Sequence, residues 1–382
     1  MNQVAVLASV LLLLACSDSS SAGSGKGDVI FAVGGENHEV VVVNPGTGTV
    51  IERPGPVPNN AYSPVLSSDS STLYFSGSDS TNNAIYALST ASLSLRRVID
   101  LAYIDTPIRP DSLLFIGDEL AIAPGDPTLY DGSASSLELP QQAGLNRLIA
   151  AIDPAAGVVS WTIGPVATYS VAGLPVGPAA GSGTLIAVGP PVLDGTFARI
   201  FIIGPGATFP NQTMALPGSV PADFAQLVTI TPSGNGRVVY LSSSSGAVFA
   251  YDLVDHAIVG SLHIGAFAKH MAISPDGSRL YAVGGGDPSA DPSLRSIRVF
   301  DETLVEQPSI SLDGQAALHD SVPPLEGLAV SRDGKSIYIA AGTSSTIGRA
   351  KDAIIVMTLA TGAITHVVRL DQWGYLTLVV GR

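Results

Sequence analysis

Three features of the sequence predict an all-β fold, namely a seven-bladed β-propeller of four-stranded antiparallel blades. First, residues 270–301 read as strand, tight turn, strand, longer loop and strand, and the same phrase returns at 328–359, with fainter copies at 65–88 and 227–252. Second, the copies recur about every 40–50 residues, which is typical of propeller blades. Third, short apolar runs bounded by Gly, Pro, Asn, Asp and Ser follow one another, and no long amphipathic helix pattern stands out.

The composition agrees with many short strands and tight turns. Of the 382 residues, 46% are hydrophobic and 13% are charged, with 41 Gly and 27 Pro. Surface helices usually carry many Glu and Lys, so this balance favours strands and turns. The formal net charge of −14 lacks the basic footprint that binding to nucleic-acid phosphates requires. We therefore expect no nucleic-acid partner, and we expect a monomer.

The N-terminal segment predicts export and attachment to a membrane. An apolar run at residues 4–15 ends in Leu13-Leu14-Ala15-Cys16, and Cys16 is the only cysteine. The run is too short to span a bilayer permanently, and it fits the apolar region of a secretory signal. Its ending resembles the lipobox of bacterial lipoproteins, which implies cleavage before Cys16 and a lipid on that residue. The first three residues contain no Lys or Arg, so a signal peptide without lipidation stays open as the alternative.

These features divide the chain into three parts. Residues 1–15 are the predicted signal peptide, residues 16–27 are a Ser/Gly-rich tether, and residues 28–382 are a single propeller domain. Ser17 directly after the cysteine resembles the outer-membrane sorting signal of diderm bacteria. The resemblance implies an extracytoplasmic location in the bacterial cell envelope, with the outer membrane holding the lipid on Cys16.

The repeat, aligned along the chain, divides the domain into blades. The first has strands at 29–33, 40–43 and 49–52, and the others cover 63–99, 112–163, 169–216, 225–264, 269–312 and 326–370. The third blade contains a long insertion and the fourth is the least regular, so six or eight blades stay open. A last strand at 375–380 would supply the missing innermost strand of the first blade. It would thereby close the ring and remove two exposed sheet edges.

Two recurring turns explain the repeat physically. Ser274-Pro275-Asp276-Gly277 joins the first and second strands of a blade: Pro presets φ, Asp caps the turn and Gly takes a positive φ. Related turns lie at 331–334, 67–70 and 231–234, and a second kind joins the third and fourth strands at 44–48, 153–157 and 359–362. Tyrosines recur on the second strand, where we expect them to pack between sheets: Tyr74, Tyr240, Tyr281 and Tyr338.

The Ser-Pro-Asp-Gly turn, followed by Leu280-Tyr281 and a strand ending in Asp301, resembles the YVTN-type β-propeller repeat. The superfamily of that repeat also contains lactonase-like and cytochrome-d1-like propellers. The likeness is good in the fifth to seventh blades, partial in the first two and weak in the third and fourth. It implies a fold but no single function, because propellers serve both binding and catalysis.

The candidate site is the face of the propeller that carries the long loops. The tight turns lie on one face of the blades, whereas the long loops lie on the other, at 77–83, 124–146, 189–197, 284–295 and 342–352. Functional residues tend to occupy loops held by a rigid scaffold. The residues leading into the innermost strands should ring the channel mouth on this face, where they would hold a polar or anionic ligand: Tyr62, Arg109, Asp223, Lys269, His270, Glu326 and Trp373.

Two functions stay open for this mouth. One is a binding face for a protein, glycan or small molecule, presented from the envelope without catalysis; the lack of a catalytic motif favours it. The other is a lactonase- or esterase-like hydrolase. Lys269-His270 is similar to the basic-His pair of lactonase-like propellers, and Glu326-Gly327 resembles a step in esterase- and phytase-like ones. In that hypothesis His270 and Glu326 are catalytic candidates, and Arg109 would hold an anion.

No metal or cofactor is predicted. Asp287 and Asp291 lack the regular spacing of calcium ligands and more often make turns. The six histidines contain no HxH or HExxH pair, and no CxxCH motif for covalent haem exists. The glycine-rich stretches at 34–35 and 284–286 are not followed by a helix, so they are not phosphate loops.

Overall fold

The computed structural model describes most of the predicted strands and the turns between them. The described residues are 28–34, 39–54, 61–67, 69–78, 83–100, 110–116, 119–124, 149–163, 170–173, 185–189, 199–203, 212–215, 227–243, 246–265, 270–284, 291–315, 318, 325–342, 353–370 and 376–381. Cys16, Arg109, Asp223, Lys269 and Trp373 lie outside them. Within them, no helix has both the length and the apolar character to cross a membrane.

The described secondary structure is almost entirely β. The strands are β1 (Val29–Gly34), β2 (Glu39–Asn44), β3 (Thr49–Glu52), β4 (Tyr62–Leu66), β5 (Thr72–Ser78), β6 (Asn83–Ser89), β7 (Leu95–Asp100), β8 (Pro110–Ile116), β9 (Glu119–Pro124), β10 (Ile149–Asp153), β11 (Val158–Ile163), β12 (Ser170–Gly173), β13 (Leu185–Gly189), β14 (Arg199–Ile203), β15 (Gln212–Ala215), β16 (Leu227–Pro232), β17 (Val238–Ser243), β18 (Ala247–Asp252), β19 (Ala257–His263), β20 (His270–Ile273), β21 (Arg279–Val283), β22 (Ser296–Asp301), β23 (Glu306–Ser311), β24 (Leu325–Val330), β25 (Ser336–Ala341), β26 (Ala353–Thr358), β27 (Ala363–Arg369) and β28 (Leu376–Gly381). A 3-10 turn, Pro292–Leu294, precedes β22.

Within the described residues, the strands form seven four-stranded antiparallel sheets. Sheet 1 has the order β28-β1-β2-β3, and sheets 2 to 7 are β4–β7, β8–β11, β12–β15, β16–β19, β20–β23 and β24–β27. The C-terminal strand therefore pairs with the N-terminal one, with Val29 opposite Gly381 and Gly34 opposite Leu376. Each of the other sheets is a meander of consecutive strands, as the sequence repeat predicts.

Buried side chains join neighbouring sheets face to face. Tyr240 of sheet 5 packs with Met271 and Phe300 of sheet 6, and Tyr281 of sheet 6 packs in one cluster with Ile339 and Ile355 of sheet 7. Two further clusters join sheet 7 to sheet 1 and sheet 1 to sheet 2. Successive side chains on a strand point to opposite faces, so each sheet can contribute to both of its neighbours.

The described side-chain cores thus define five consecutive blades, in the order of sheets 5, 6, 7, 1 and 2. This is two fewer than the seven predicted, because few side chains of sheets 3 and 4 are among the described ones. An all-β propeller with four-stranded antiparallel blades is confirmed. The seven-bladed closed ring stays a prediction.

The predicted packing between sheets is confirmed for three of the four second-strand tyrosines. Tyr240, Tyr281 and Tyr338 each belong to a core shared with the next sheet, and Tyr74 is also buried. The hydroxyls of two of them reach the neighbouring sheet: Tyr240 donates to the carbonyl oxygen of Glu302 and Tyr338 to the carboxylate of Asp28, both at 3.1 Å. Each ring therefore adds a polar contact to the apolar one.

The turn between the first and second strands uses one hydrogen-bond pattern in four sheets. In sheet 6 the Ser274 hydroxyl donates to Asp276 at 2.5 Å and accepts from the Arg279 N–H at 2.9 Å. Gly277 has the expected positive φ of 74°. The same serine contacts recur at Ser67, Ser233 and Ser331.

The predicted turn at residues 231–234 is wrong by two residues. Pro232 still pairs with Val239 as the last residue of β16. The turn itself starts at Ser233, with Asn235 in the place of the aspartate and Gly236 at a φ of 65°. The proline suggested the start of the turn, but the Ser hydroxyl and the Asn carboxamide fix its register.

The outermost strand of each of six sheets carries a one-residue shift in register. The shifts occur where β3, β7, β11, β19, β23 and β27 pair with their neighbours. Such β-bulges twist an edge strand away from regular pairing. The repeated bulge therefore reduces the tendency of these exposed edges to pair with other chains.

Candidate functional site

The topology places the two kinds of loop at opposite ends of the innermost strands. In sheets 2, 5, 6 and 7 the innermost strand ends at a tight turn to the second strand, so the residues at its start lie on the other face. We call the end with the tight turns the turn face, and the end where β4, β8, β12, β16, β20, β24 and β28 begin the mouth face. The predicted site residues that the structure describes, Tyr62, His270 and Glu326, all lie at the mouth face.

At the turn face, the tight turns of neighbouring sheets pack against one another. A Cβ added to Gly277 would lie 3.2 Å from the backbone nitrogen of Gly234, and one on Gly334 would lie 3.6 Å from Cδ of Pro275. These contacts link the turns of sheets 5, 6 and 7. The turn face is therefore built mainly of structural contacts.

His270 is the first residue of β20 and is buried, with 5% of its surface exposed. It pairs with Val283 of β21. Ala272, two residues on, belongs to the core between sheets 6 and 7, so His270 shares the face of β20 that is turned towards sheet 7. His270 therefore begins an innermost strand, as the sequence predicts, but its imidazole is buried and is not a solvated entrance group.

Glu326 is the second residue of β24 and is the extra residue of a register shift. Leu325 pairs with Ala341 and Gly327 with Ala340, so Glu326 has no opposite residue. The innermost strands β20 and β24 are neighbours, and both His270 and Glu326 lie at the mouth-face ends of these strands. A bulge re-aims the side chain it carries and is frequent beside functional sites.

The same irregularity occurs at the start of four innermost strands. Besides β24, the register shifts within the first residues of β4, β8 and β16. In β8 the shift lies between Pro110 and Ser112, which makes Asp111 the extra residue. The sequence prediction missed Asp111, although Pro110 at the start of a strand, like Gly327 in β24, is a signal that could have indicated a bulge.

The remaining predicted residues divide into two groups. Tyr62 is the first residue of β4 and pairs with Ser76, but its side chain lies outside the described part, as does that of Glu326. Arg109, Asp223, Lys269 and Trp373 lie outside the described residues altogether. Their convergence on one pocket stays a prediction.

The described carboxyl groups whose pKa is lowered lie at or next to the turn face. The Ser67 hydroxyl lowers the pKa of Asp69, and the Ser274 hydroxyl lowers that of Asp276. Burial alone would raise the pKa values of Asp252, Asp301 and Asp333, but their hydrogen bonds outweigh it and leave them lowered. These shifts reflect the stabilisation of turns, because each carboxylate accepts local backbone N–H groups.

Asp291, one of two aspartates considered for calcium, makes a turn. Its Oδ1 accepts hydrogen bonds from the N–H and the hydroxyl of Ser293, at 3.0 Å and 2.7 Å. Asp287 lies outside the described residues. Among the residues the structure describes, no group of three or more His, Cys, Asp or Glu side chains has a metal-binding arrangement.

One groove of about 360 Å³ lies at the outer rim of sheet 6, between the end of β19 and the strands β22 and β23. Its polar groups bind each other. Arg298 forms two hydrogen bonds with Glu306, at 2.8 Å and 2.7 Å, and the Ser296 hydroxyl donates to the carbonyl of Ser293. The groove therefore offers few unsatisfied groups to a ligand.

The fold and the site define a β-propeller with a structured turn face and an irregular mouth face. No family model matches the sequence, and no curated protein matches it. Among solved structures, a chain of the Kuenenia stuttgartiensis hydrazine synthase has a TM-score of 0.56 at 12% identity, covering 88% of this chain and 90% of that one. A chain of a mitotic checkpoint complex has a TM-score of 0.54 at 14% identity, covering 82% and 81%. At these identities the likeness shows the fold alone.

Proposed function

We propose that this protein is a lipid-anchored, extracytoplasmic β-propeller whose mouth face binds a ligand or partner in the bacterial cell envelope. The observation that carries the binding role is the difference between the two faces. The turn face is occupied by packed turns and internally hydrogen-bonded carboxylates. At the mouth face, four innermost strands begin with a register shift, and charged residues lead into them.

The proposal includes a closed ring of seven blades of the YVTN type. Three observations support it: the strands form seven sheets of the same four-stranded order, β28 pairs with β1, and the innermost strands neighbour one another in the sequence β28, β4, β8, β12, β16, β20, β24 and back to β28. The Ser-Pro-Asp-Gly turn with its Ser-to-Asp hydrogen bond supports the repeat type. Closure would leave only the short, protected inner edges that are typical of propeller blades.

The anchor rests on the sequence Leu-Leu-Ala-Cys and the polar tether after it. Expression of the full chain with metabolic labelling by a fatty acid, followed by envelope fractionation, tests it. We expect label in the wild type, recovered with membranes, and neither label nor membrane recovery for Cys16→Ser. The anchor would be contradicted if the wild-type protein took up no labelled fatty acid and was recovered in the soluble fraction.

The binding role is tested by probing glycan and peptide arrays with the purified domain and with matched variants. Glu326→Ala at the mouth should weaken a detected interaction, whereas Lys335→Ala at the turn face should not. Lys335 is a fair control because its side chain is 78% exposed and it belongs to a turn. A domain that binds nothing on the arrays but turns over a lactone, in a reaction lost with Glu326→Ala, would replace binding with hydrolysis.

A further inference from the structure

In sheet 1 no tight turn joins the innermost strand to the second strand, because these two strands come from distant parts of the sequence. Its innermost strand is β28 and its second strand is β1, and Gly381 lies opposite Val29. In sheets 2, 5, 6 and 7 the corresponding place is the Ser-Asp or Ser-Asn turn. Asp28, which precedes β1, therefore stands on the turn face.

Neighbouring sheets hold this entry point in place. The hydroxyl of Tyr338, on β25 of sheet 7, donates to Oδ2 of Asp28 at 3.1 Å. Nη2 of Arg332, in the tight turn of sheet 7, donates to Oγ of Ser70 in the tight turn of sheet 2. Arg332 thus spans the position at which sheet 1 lacks a turn. The position where the chain enters the domain is therefore fixed relative to the turn face.

From this placement we infer that the turn face is directed towards the lipid bilayer and the mouth face away from it. The inference deepens the proposed anchoring: residues 16–27 connect Asp28 to the lipidated cysteine. Ser/Gly-rich segments of this length have in general a root-mean-square end-to-end distance of about 20 Å. Strands of about six residues make the domain about 20 Å deep. The mouth face would therefore lie about 20 Å farther from the membrane than the turn face, a distance similar to the reach of the tether.

The charge of the turn face indicates how close it comes to the membrane. The described part of the turn face carries ten acidic side chains and four basic ones, namely Asp28, Asp69, Asp153, Asp252, Asp255, Asp276, Asp301, Glu302, Glu306 and Asp333 against Arg237, Arg279, Arg332 and Lys335. An excess of negative charge is repelled by anionic lipid within about a Debye length. We therefore expect the domain to stand off on its tether and to leave the mouth accessible to large partners.

A matched pair of labels tests the orientation. The two serines Ser278 and Ser293 belong to sheet 6 and are exposed, one in the tight turn and the other beside the mouth-face loop. Ser278→Cys and Ser293→Cys are each placed in a chain that starts at Ser17 and carries a polyhistidine tag before it. The tagged chain lacks Cys16, so the introduced thiol is the only one, and nickel-chelating vesicles hold the chain at its N-terminus.

With a fluorophore on each thiol and nitroxide head-group lipids as quenchers, the Ser278→Cys label should be quenched about twofold more than the Ser293→Cys label, because the tether holds the turn face nearer. Equal quenching, or the reverse order, would overturn the orientation. Flotation of the untagged full chain with vesicles is a separate readout. Its failure would refute the anchor alone, since the tagged chain tests the geometry without the lipid.

Discussion

At the residue scale, the fold depends on a few side chains that satisfy backbone groups in turns. The turn between the third and fourth strands closes on a residue with positive φ, which is glycine at Gly48, Gly157 and Gly362. In sheet 5 the same place is occupied by His256, with a φ of 52°. A residue with a Cβ is strained in this region, because the Cβ approaches a carbonyl oxygen.

Replacement of His256 by glycine should therefore stabilise the protein. We expect His256→Gly to increase the free energy of unfolding by about 0.5–1 kcal/mol, as strain relief exceeds the added chain entropy. His263→Gly is the control: it lies within β19, where glycine should cost about 0.5–1 kcal/mol. Denaturant unfolding measures both; destabilisation by His256→Gly would contradict the strain argument.

The turn carboxylates also predict how stability depends on pH. The pKa values of Asp69, Asp252, Asp276, Asp301 and Asp333 are lowered in the folded state. Their contribution is fully present above the unfolded pKa of about 4 and is lost as the pH falls through the folded values. We expect the unfolding midpoint to be flat from pH 7 to about pH 5 and to fall below about pH 4. A midpoint that rises with acidification would be inconsistent with these turns.

At the element scale, contacts between turns of different sheets hold the blades in register. Gly277 and Gly314 both have a positive φ, of 74° and 73°. They differ in their surroundings, because a Cβ on Gly277 would lie 3.2 Å from Gly234 whereas one on Gly314 would meet nothing within 4 Å. Alanine substitutions at these two positions therefore separate the free-energy cost of a positive φ from that of disturbing the packing between turns.

We expect Gly277→Ala to lower the free energy of unfolding more than Gly314→Ala. The φ penalty of about 1–2 kcal/mol is common to both, and only Gly277→Ala must also displace a neighbouring backbone. Thermal or denaturant unfolding of the two variants measures the difference. Equal losses would show that the turns of sheets 5 and 6 can move apart freely.

The contact between Arg332 and Ser70 substitutes for the turn that sheet 1 lacks. Arg332→Ala should lower stability by about 1–3 kcal/mol, the range for a hydrogen bond from a charged group with a buried partner; Ser70 is 5% exposed. Lys335→Ala in the same turn is the control and should change stability by less than about 0.5 kcal/mol, since its ion pair is exposed. Equal effects of the two variants would remove the proposed bridging role.

At the scale of the whole molecule, the sequence predicted the repeated four-stranded unit because turn chemistry and alternating apolar runs are local. Asp276 caps its turn and Gly277 has a positive φ, as predicted, and β28 pairs with β1 as expected. The bulge at Glu326 and the reach of Arg332 to Ser70 depend on register and on contacts between distant sheets. Such non-local features leave little trace in a single sequence, apart from a Pro or Gly inside a strand.

The central claim is that the mouth face, and not the turn face, meets a partner in the envelope. The most direct measurement is photo-crosslinking in intact cells, with a photoreactive amino acid at Glu326 of the mouth or at Lys335 of the turn face. We expect a discrete crosslinked adduct from Glu326 and none from Lys335. An adduct from Lys335 alone, or none from either position, would contradict it.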